Sequence, residues 1–421
     1  MKKYITILST ITAVVAFADN ENYDGQDVSG SFSDRSMKNS SWRGCTTNVK
    51  PLNFTYCDLS NAVFDDAKIN AWFGSADLTG ASFVRADLTV KPEANSNGTG
   101  FDFATLKNVD FTDANLSGVN FQGADVLNAN FTNAIINNTD FGETYGVHNF
   151  VRDQLYSTKS YKEKNLTGII FGQKDLSYWD FSHQNLQNSK IRIANLNNTN
   201  FTGADFRGAS ITSTEGSAIY KNTIGTDGVI TNFSMTSVDD SLTIRAYVPA
   251  TSGGATINAK IVDDASISGG AVLTLEQGAV LEIASGKTLS VLDDSEIIFN
   301  VDAATDATKI LLGENSKLVF GSDSKITINL NGVASPDDSY TFSVIESAAG
   351  AQVMGTDSLK KGNVILNVNG EEYDSSKWTF DFDSSTGALN INVNVPEPAD
   401  YAAILGAIAI AFALKCRCSR K

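Results

Sequence analysis

The sequence predicts an all-β chain built as two successive coiled domains, and three observations carry that reading. An apolar residue recurs at every fifth position through most of residues 52–214, a spacing that neither an α-helix (period 3.6) nor a strand (period 2) sustains. Beyond residue 215 that period gives way to short alternating runs at 8–10-residue spacing, with Gly, Asp, Asn and Ser between them, the pattern of strands joined by tight turns. The composition allows cores for both: 421 residues, 42% of them apolar, are too many and too hydrophobic for a disordered chain.

The first element, residues 1–18, has the three parts of a secretory signal peptide. Lys2 and Lys3 precede an apolar run from Tyr4 to Phe17, and Ala16 and Ala18 occupy the two small-residue positions that a signal peptidase reads. The run of about 14 residues is too short for a membrane-spanning helix, which needs ~20. Residues 19–51 follow as an N-terminal cap segment.

The second element is the repeat. Its centres run Phe54, Leu59, Phe64, Ile69, then after a one-residue slip Phe73, Leu78, Phe83, Leu88. An insertion at 89–100 interrupts them, and they resume through Phe101, Leu106, Phe111, Leu116, Phe121, Val126, Phe131, Ile136 and Phe141. After a second insertion, 142–164, come Leu166, Phe171, Leu176, Phe181, Leu186, Ile191, Leu196, Phe201, Phe206 and Ile211. These 27 positions hold only Phe, Leu, Ile or Val and use 13 of the 24 Phe. Each unit must therefore be a short straight side followed by a corner. Two positions before a centre the residue is usually Ala, as at Ala62, Ala104, Ala114 and Ala204, and on an extended segment both point inward. Asp and Asn between them, such as Asp77, Asp110 and Asn130, are expected to face water.

Read as Ala-Asp/Asn-Leu/Phe-X-X, these residues resemble the motif of the pentapeptide repeat family. The resemblance implies a right-handed quadrilateral β-helix with four pentapeptides per turn, so that 27 units give nearly seven coils. In 101–141 Phe alternates with Leu, Val or Ile, which on a four-sided coil places Phe stacks on two opposing sides. The expected repeat core is Phe101, Leu106, Phe111, Leu116, Phe121, Phe131, Phe141, Leu196, Phe201 and Phe206. Lys164, Ile169, Lys174, Trp179 and Gln184 sit where a small inward residue belongs, so this stretch is expected to be distorted or packed against the preceding insertion. In that insertion Val151–Tyr156 reads as a short helix turned out from the coils. Tyr156, Tyr161, Tyr178 and Trp179 form either a carbohydrate-stacking surface or, more in keeping with solenoids, a cap or joint. Cys45 and Cys57 could pair in an oxidising compartment, although Cys57 falls on a small inward position and reads better as a buried residue.

The third element, residues 215–395, reads as an acidic β-rich domain. Runs such as Leu273–Leu275, Val280–Ile283, Leu289–Val291, Ile297–Val301 and Ile326–Leu330 resemble the irregular β-helices of secreted autotransporter passengers, with a β-sandwich as the alternative and 340–395 as a compact capping end. Acidic pairs at Asp239-Asp240, Asp263-Asp264, Asp293-Asp294 and Asp337-Asp338 fall at turns without a calcium-loop spacing and read as solvated turn residues.

The last element, residues 396–421, opens on Val395-Pro396-Glu397-Pro398, continues through an apolar stretch at 401–414 and ends in Lys415, Arg417, Arg420 and Lys421. It resembles the PEP-CTERM sorting signal of Gram-negative bacteria. The resemblance implies an exosortase that cuts near Pro396, after transient membrane contact through 401–414; Cys416 and Cys418 would leave with the tail.

The 48 acidic and 32 basic residues give a net charge of −16, which disfavours nucleic-acid binding. Removal of 1–18 and 396–421 would leave 46 acidic and 26 basic residues, net −20. With two histidines, His148 and His183, and no catalytic, cofactor or metal motif, the expected function is non-enzymatic. The chain reads as an exported scaffold or adhesion protein of a Gram-negative envelope or extracellular matrix. Its expected processing partners are a signal peptidase and the exosortase, and an extracellular polysaccharide is a candidate ligand. The alternatives are an acidic DNA mimic that inhibits a topoisomerase, as some pentapeptide proteins do, and a carbohydrate-active β-helix enzyme.

Overall fold

The computed structural model describes residues 4–6, 19–47, 50–89, 98–142, 150–303, 307–333, 339–355, 363–374, 378–383 and 388–394. The chain divides into two compact units, Met1–Asp227 with Pro249–Ala255 and Gly228–Val248 with Thr256–Lys421. Both are β-solenoids. No helix among the described residues is long and apolar enough to cross a membrane.

In the first unit the chain returns to the same side of the coil every 20 residues. Thr105 bridges Asp125, Asp110 bridges Asn130, Asn115 bridges Ile135 and Asn120 bridges Asp140, all parallel, so one coil has four five-residue sides. The slip after Ile69 shortens one coil to 19 residues, seen at Asp58↔Asp77 and Lys68↔Asp87, without loss of the ladder.

The corners explain the period. The amide three residues after each centre donates to the centre's carbonyl, as in Ala104 N to Phe101 O (2.9 Å) and Ala114 N to Phe111 O (3.0 Å). The residue two after the centre has positive φ, for instance Asn108 (57°), Asp113 (58°) and Asn128 (58°), the requirement of a type II turn. Asp and Asn at the position before the centre do more than face water. Asp77 Oδ1 accepts from Thr79 N (2.9 Å) and Thr79 Oγ1 (2.6 Å), and Asp110, Asn115 and Asn130 each accept in the same way from the residue two positions on. These side chains close each corner from outside, the local bonding that makes Asp and Asn turn residues.

Inside, two aromatic columns face each other. Phe32, Phe54, Phe73, Phe101, Phe121 and Phe141 stack in one, and Trp42, Phe64, Phe83, Phe111 and Phe131 in the other. Across the interior the columns meet edge to face, as Phe83 and Phe101 do at 5.6 Å and 90°. Rings thus take offset or T-shaped contacts with every neighbour, the geometry their quadrupoles favour. At ~1.5–3 kcal/mol per buried side chain, the columns are the main stabilising feature of the unit.

Three features of this unit differ from the sequence reading. The coils begin well before residue 52: Asn22 bridges Ser41 and Asp27 bridges Thr46, so the expected cap segment is itself coiled, with Tyr23, Val28, Met37, Trp42 and Thr47 buried inside. The coils also run past 214, with Asn195↔Glu215, Asn200↔Ile219 and Asp205↔Ile224. Lastly, the helix of the second insertion is not turned out. Helices α1 (Arg152–Ser157) and α2 (Lys159–Lys162) replace two sides of a coil. Leu155 is fully buried, Asn133 N donates to Ser157 O (3.0 Å), Lys159 N donates to Ala134 O (3.0 Å), and Gln154 Nε2 bonds the Val126 and Ala129 carbonyls at 2.9 and 2.8 Å. Helical segments can fill the gap because they supply the partners that the ladder would otherwise lack. The oversized inward residues then pack against this insertion: Trp179 lies 6.4 Å from the Phe150 ring, Lys174 Nζ sits 5.5 Å over that ring, and Gln184 Nε2 donates to Tyr161 O (3.0 Å).

The second unit has three strands per coil, each side forming its own parallel sheet. One contains Ser241–Ile244, Val272–Leu275, Glu296–Asp302, Lys325–Asn331 and Val364–Val368; the next Ala259–Ile261, Val280–Ile283, Lys309–Leu312 and Ile345–Ser347; the third Ala265–Ile267, Thr288–Val291, Lys317–Phe320 and Gln352–Met354. This is a solenoid rather than a sandwich. Alternate residues face inward, and the register Leu273↔Ile297↔Ile326↔Val364 keeps like residues stacked. Ile345–Ser347, Gln352–Met354 and Val364–Val368 thus continue the coils into the stretch expected to be a capping end, while a separate antiparallel sheet joins Ser339–Ser343, entered between coil strands, to Ala388–Asn394 and Trp378–Asp383.

Candidate functional site

The most distinctive exposed feature among the described residues lies on the first unit, on the side whose interior carries Phe54, Phe73 and Phe101. Outward from these centres project Trp72 just before one, Thr55, Gly74 and Asp102 just after, and Tyr56, Ser75 and Phe103 at the corners. They line a groove of about 590 Å³ together with Gly98, Thr99, Gly100, Gly118 and Asn120.

Glycine makes the depth. A Cβ at Gly74 would come 3.1 Å from Asp102 Oδ2, and one at Gly100 would come 3.0 Å from Oδ1 of the same carboxylate. The polar floor is therefore Asp102 set between two bare backbone sides, with Asn120 one coil further on.

The walls are aromatic. Tyr56 is 65% exposed, Phe103 55% and Trp72 39%. Tyr56 (φ 60°) and Phe103 (φ 58°) occupy the left-handed corner position that most other coils give to Asn, Asp or Gly. A bulky residue there costs about 1–2 kcal/mol. Such high exposure returns little burial to offset it. Phe103 is also cleared for by its neighbour: a Cβ at Gly123 would lie 2.6 Å from the Phe103 ring, so the ring rests over that glycine's backbone. Tyr178 (φ 60°) and Ile193 (φ 54°) hold the same corner, also exposed, elsewhere on the unit, so what sets the groove apart is that two such aromatics flank one depression.

The residues singled out in the sequence fall elsewhere. Phe101, Leu106, Phe111, Leu116, Phe121, Phe131, Phe141, Leu196, Phe201 and Phe206 are all buried and serve packing. Ala16 and Ala18, Val395, Pro396, Glu397 and Pro398, and His148 lie outside the described residues. The aromatic group of the second insertion does not form one surface. Tyr156 and Tyr161 stack at 4.3 Å and bond the backbone of Asp180 through their hydroxyls, Trp179 is buried, and Tyr178 stands exposed. Burial pushes the Tyr161 hydroxyl well above its ordinary value. That arrangement is a joint. Cys45 and Cys57 are free and buried, and burial raises their thiols to about 12 and about 11.

The acidic turn pairs are engaged singly: Asp263 pairs with Lys287 (3.7 Å), Asp294 with Lys325 (3.6 Å), Asp264 Oδ1 accepts from Thr288 N (2.8 Å), and Asp240 Oδ2 accepts from Thr236 N (2.9 Å). No group of three or more His, Cys, Asp or Glu among the described residues is placed to hold a metal ion. The groove was legible only as two large aromatics, Tyr56 and Phe103, at the same corner of coils two apart, where Asn, Asp or Gly is the rule.

Five-residue sides, type II corners and paired aromatic columns define a pentapeptide-type β-helix. The family model described as pentapeptide repeats matches this chain in 8 copies, over residues 97–133, 110–145 and 175–214. Those residues of the chain carry pentapeptide repeats. No curated protein matches the chain.

Among solved structures it is similar to HetL, a pentapeptide repeat protein involved in heterocyst differentiation regulation from the cyanobacterium Nostoc sp. strain PCC 7120. The identity is 20% over 51% of this chain and 88% of that one, with a TM-score of 0.17. It is also similar to a trypsin-treated form of QnrB1, a plasmid-mediated fluoroquinolone resistance protein, at 16% identity over 51% and 83% with a TM-score of 0.18. Full-length QnrB1 gives 14% over 78% and 95% with a TM-score of 0.12.

Proposed function

We propose that this chain is a non-enzymatic scaffold or adhesion protein, exported by the signal at 1–18 and sorted by its C-terminal tail to the cell surface or extracellular matrix of a Gram-negative bacterium. The observation that carries the reading is an exposed, strained aromatic groove on a β-helix whose interior is wholly committed to packing. Such a body presents a fixed surface to a partner. The two addresses support it from the sequence: Ala16 and Ala18 before Asp19, and Val395-Pro396-Glu397-Pro398 before the apolar run. Cleavage after Ala18 would also remove Tyr4–Thr6, which pairs in parallel with Asp27–Ser29 at the start of the coils.

Cell fractionation combined with the intact mass of the recovered protein tests the proposal. Recovery from the envelope or medium with ends near Asp19 and Pro396 supports it. Recovery from the cytoplasm with Met1 and Lys421 retained overturns it and favours the topoisomerase-inhibitor reading, which a supercoiling assay would then address.

A further inference from the structure

We infer that the groove bounded by Tyr56, Trp72 and Phe103 binds an extended, neutral, β-linked glycan chain. This deepens the scaffold reading and rests on it, by naming what the surface would hold.

Tyr56 and Phe103 stand at the same corner of coils two apart, with Ser75 between them. At the ~4.8 Å spacing of stacked strands, their Cα atoms are about 10 Å from one another along the coil axis. That repeat is commensurate with the disaccharide of an extended β-linked hexose chain, which presents the same apolar sugar face at every second residue. The small side chain of Ser75 leaves room for the intervening sugar, and Trp72, on the intermediate coil, supplies a third platform beside it.

The floor fits the same ligand. Sugars need apolar faces stacked on rings and hydroxyls met by fixed polar groups. Asp102 and Asn120, with the Thr55 and Ser75 hydroxyls, offer those partners in a groove that bare glycine backbone keeps open. A carboxylate in the floor and a net charge of −16 on the chain disfavour an anionic polysaccharide. Neutral chains escape that repulsion.

The strained corners permit a clean test. In Tyr56→Asn and Phe103→Asn the new residue is the one this corner prefers, so the double variant is expected to keep or raise the melting temperature of the full chain while it loses both platforms. Cellohexaose and chitohexaose, with an alginate oligomer as anionic control, are titrated calorimetrically into the full-length chain and the double variant. The expected result is binding of at least one neutral hexasaccharide, weakened at least tenfold in the double variant, with alginate bound by neither.

Equal binding by both proteins, binding of alginate alone, or no binding of any oligomer overturns the inference. So does self-association of the original chain that the double variant abolishes, because the occupant would then be a second copy. A cytoplasmic protein that still bound a neutral hexasaccharide would refute export and leave the groove's ligand standing. A surface protein that bound none would do the reverse.

Discussion

The rings of Phe64 and Phe83, one coil apart, lie 4.7 Å between centroids and 4° from parallel. Each also meets Phe73 of the opposite column edge to face, at 5.5 and 5.7 Å. One ring therefore supports its neighbours above, below and across, and its loss cannot be absorbed by a shift on one side. Phe83→Ala is expected to cost about 3–5 kcal/mol, near the top of the range for large-to-small core changes, and Phe83→Leu under about 1.5. Urea unfolding followed by circular dichroism checks both.

A buried ion pair makes a second prediction. Arg207 and Asp205 are both fully buried, with Nη2 to Oδ2 at 2.6 Å and Nε to Oδ1 at 3.0 Å, and Gln187 Nε2 donates to the same Oδ2 at 2.8 Å. Arg207→Met leaves a buried carboxylate without its cation and is expected to cost about 3–5 kcal/mol. The double variant Arg207→Met with Asp205→Asn should recover a large part of that loss. Thermal denaturation of the singles and the double, read as a cycle, measures the coupling.

The cysteines predict both reactivity and pH dependence. Burial, the first cause at both, holds the Cys45 thiol at about 12 and the Cys57 thiol at about 11, above the ordinary value of 9.0. Thiolate is the reactive form, so neither should label with iodoacetamide at pH 8 until urea unfolds the chain. A raised native value means the folded state holds these protons more tightly than the unfolded chain. Their contribution is fully present below pH 9 and falls as pH rises from 9 through 12. Chemical denaturation from pH 8 to 11 should show that decline, reduced in Cys45→Ala with Cys57→Ala.

In the second unit Asn367 Nδ2 donates to Asn329 Oδ1 and Asn329 Nδ2 donates to Asn300 Oδ1, each at 2.7 Å, and Asn300 Nδ2 reaches Glu276 at 3.2 Å. Asn329→Asp removes the donor in the middle and sets two acceptors against each other, which is expected to cost about 1–3 kcal/mol at pH 7. Protonation would restore a donor, so the folded state raises this carboxyl's value. The deficit should therefore shrink as pH falls from 7 toward about 4, the ordinary carboxyl value, and change little below it, read by melting temperature across pH 3–7.

Much of the first unit was legible because its centres are chemically uniform. Phe101 through Phe141 alternate with aliphatic residues, and a four-sided coil is the arrangement that turns that alternation into columns. The coils over 19–51 were hidden because Tyr23, Met37, Trp42 and Thr47 occupy the same inward positions with residues outside the Phe-Leu-Ile-Val set, leaving Val28 and Phe32, whose spacing is not the five-residue one, unable to show the period. Packing accepts any side chain that fills the volume, so inward position outlasts residue type. The placement of α1 was not readable, since helix propensity says nothing of whether Leu155 points into the coil. In the second unit strands were evident from alternation, but three sides per coil depend on which runs pair, as in Leu281↔Ile310 across 29 residues, a long-range fact. The groove escaped for a different reason: Tyr56 and Phe103 break the repeat, and a search for regularity passes over exceptions.

The twenty-residue register carries a hereditary consequence. Because each coil hands the next the same ladder of bridges, an in-frame duplication of twenty codons could extend the body by one storey without disturbing those on either side. The span between Tyr56 and Phe103 is then a length that copy number can set, and lineages could tune it by adding or deleting coils rather than by altering side chains.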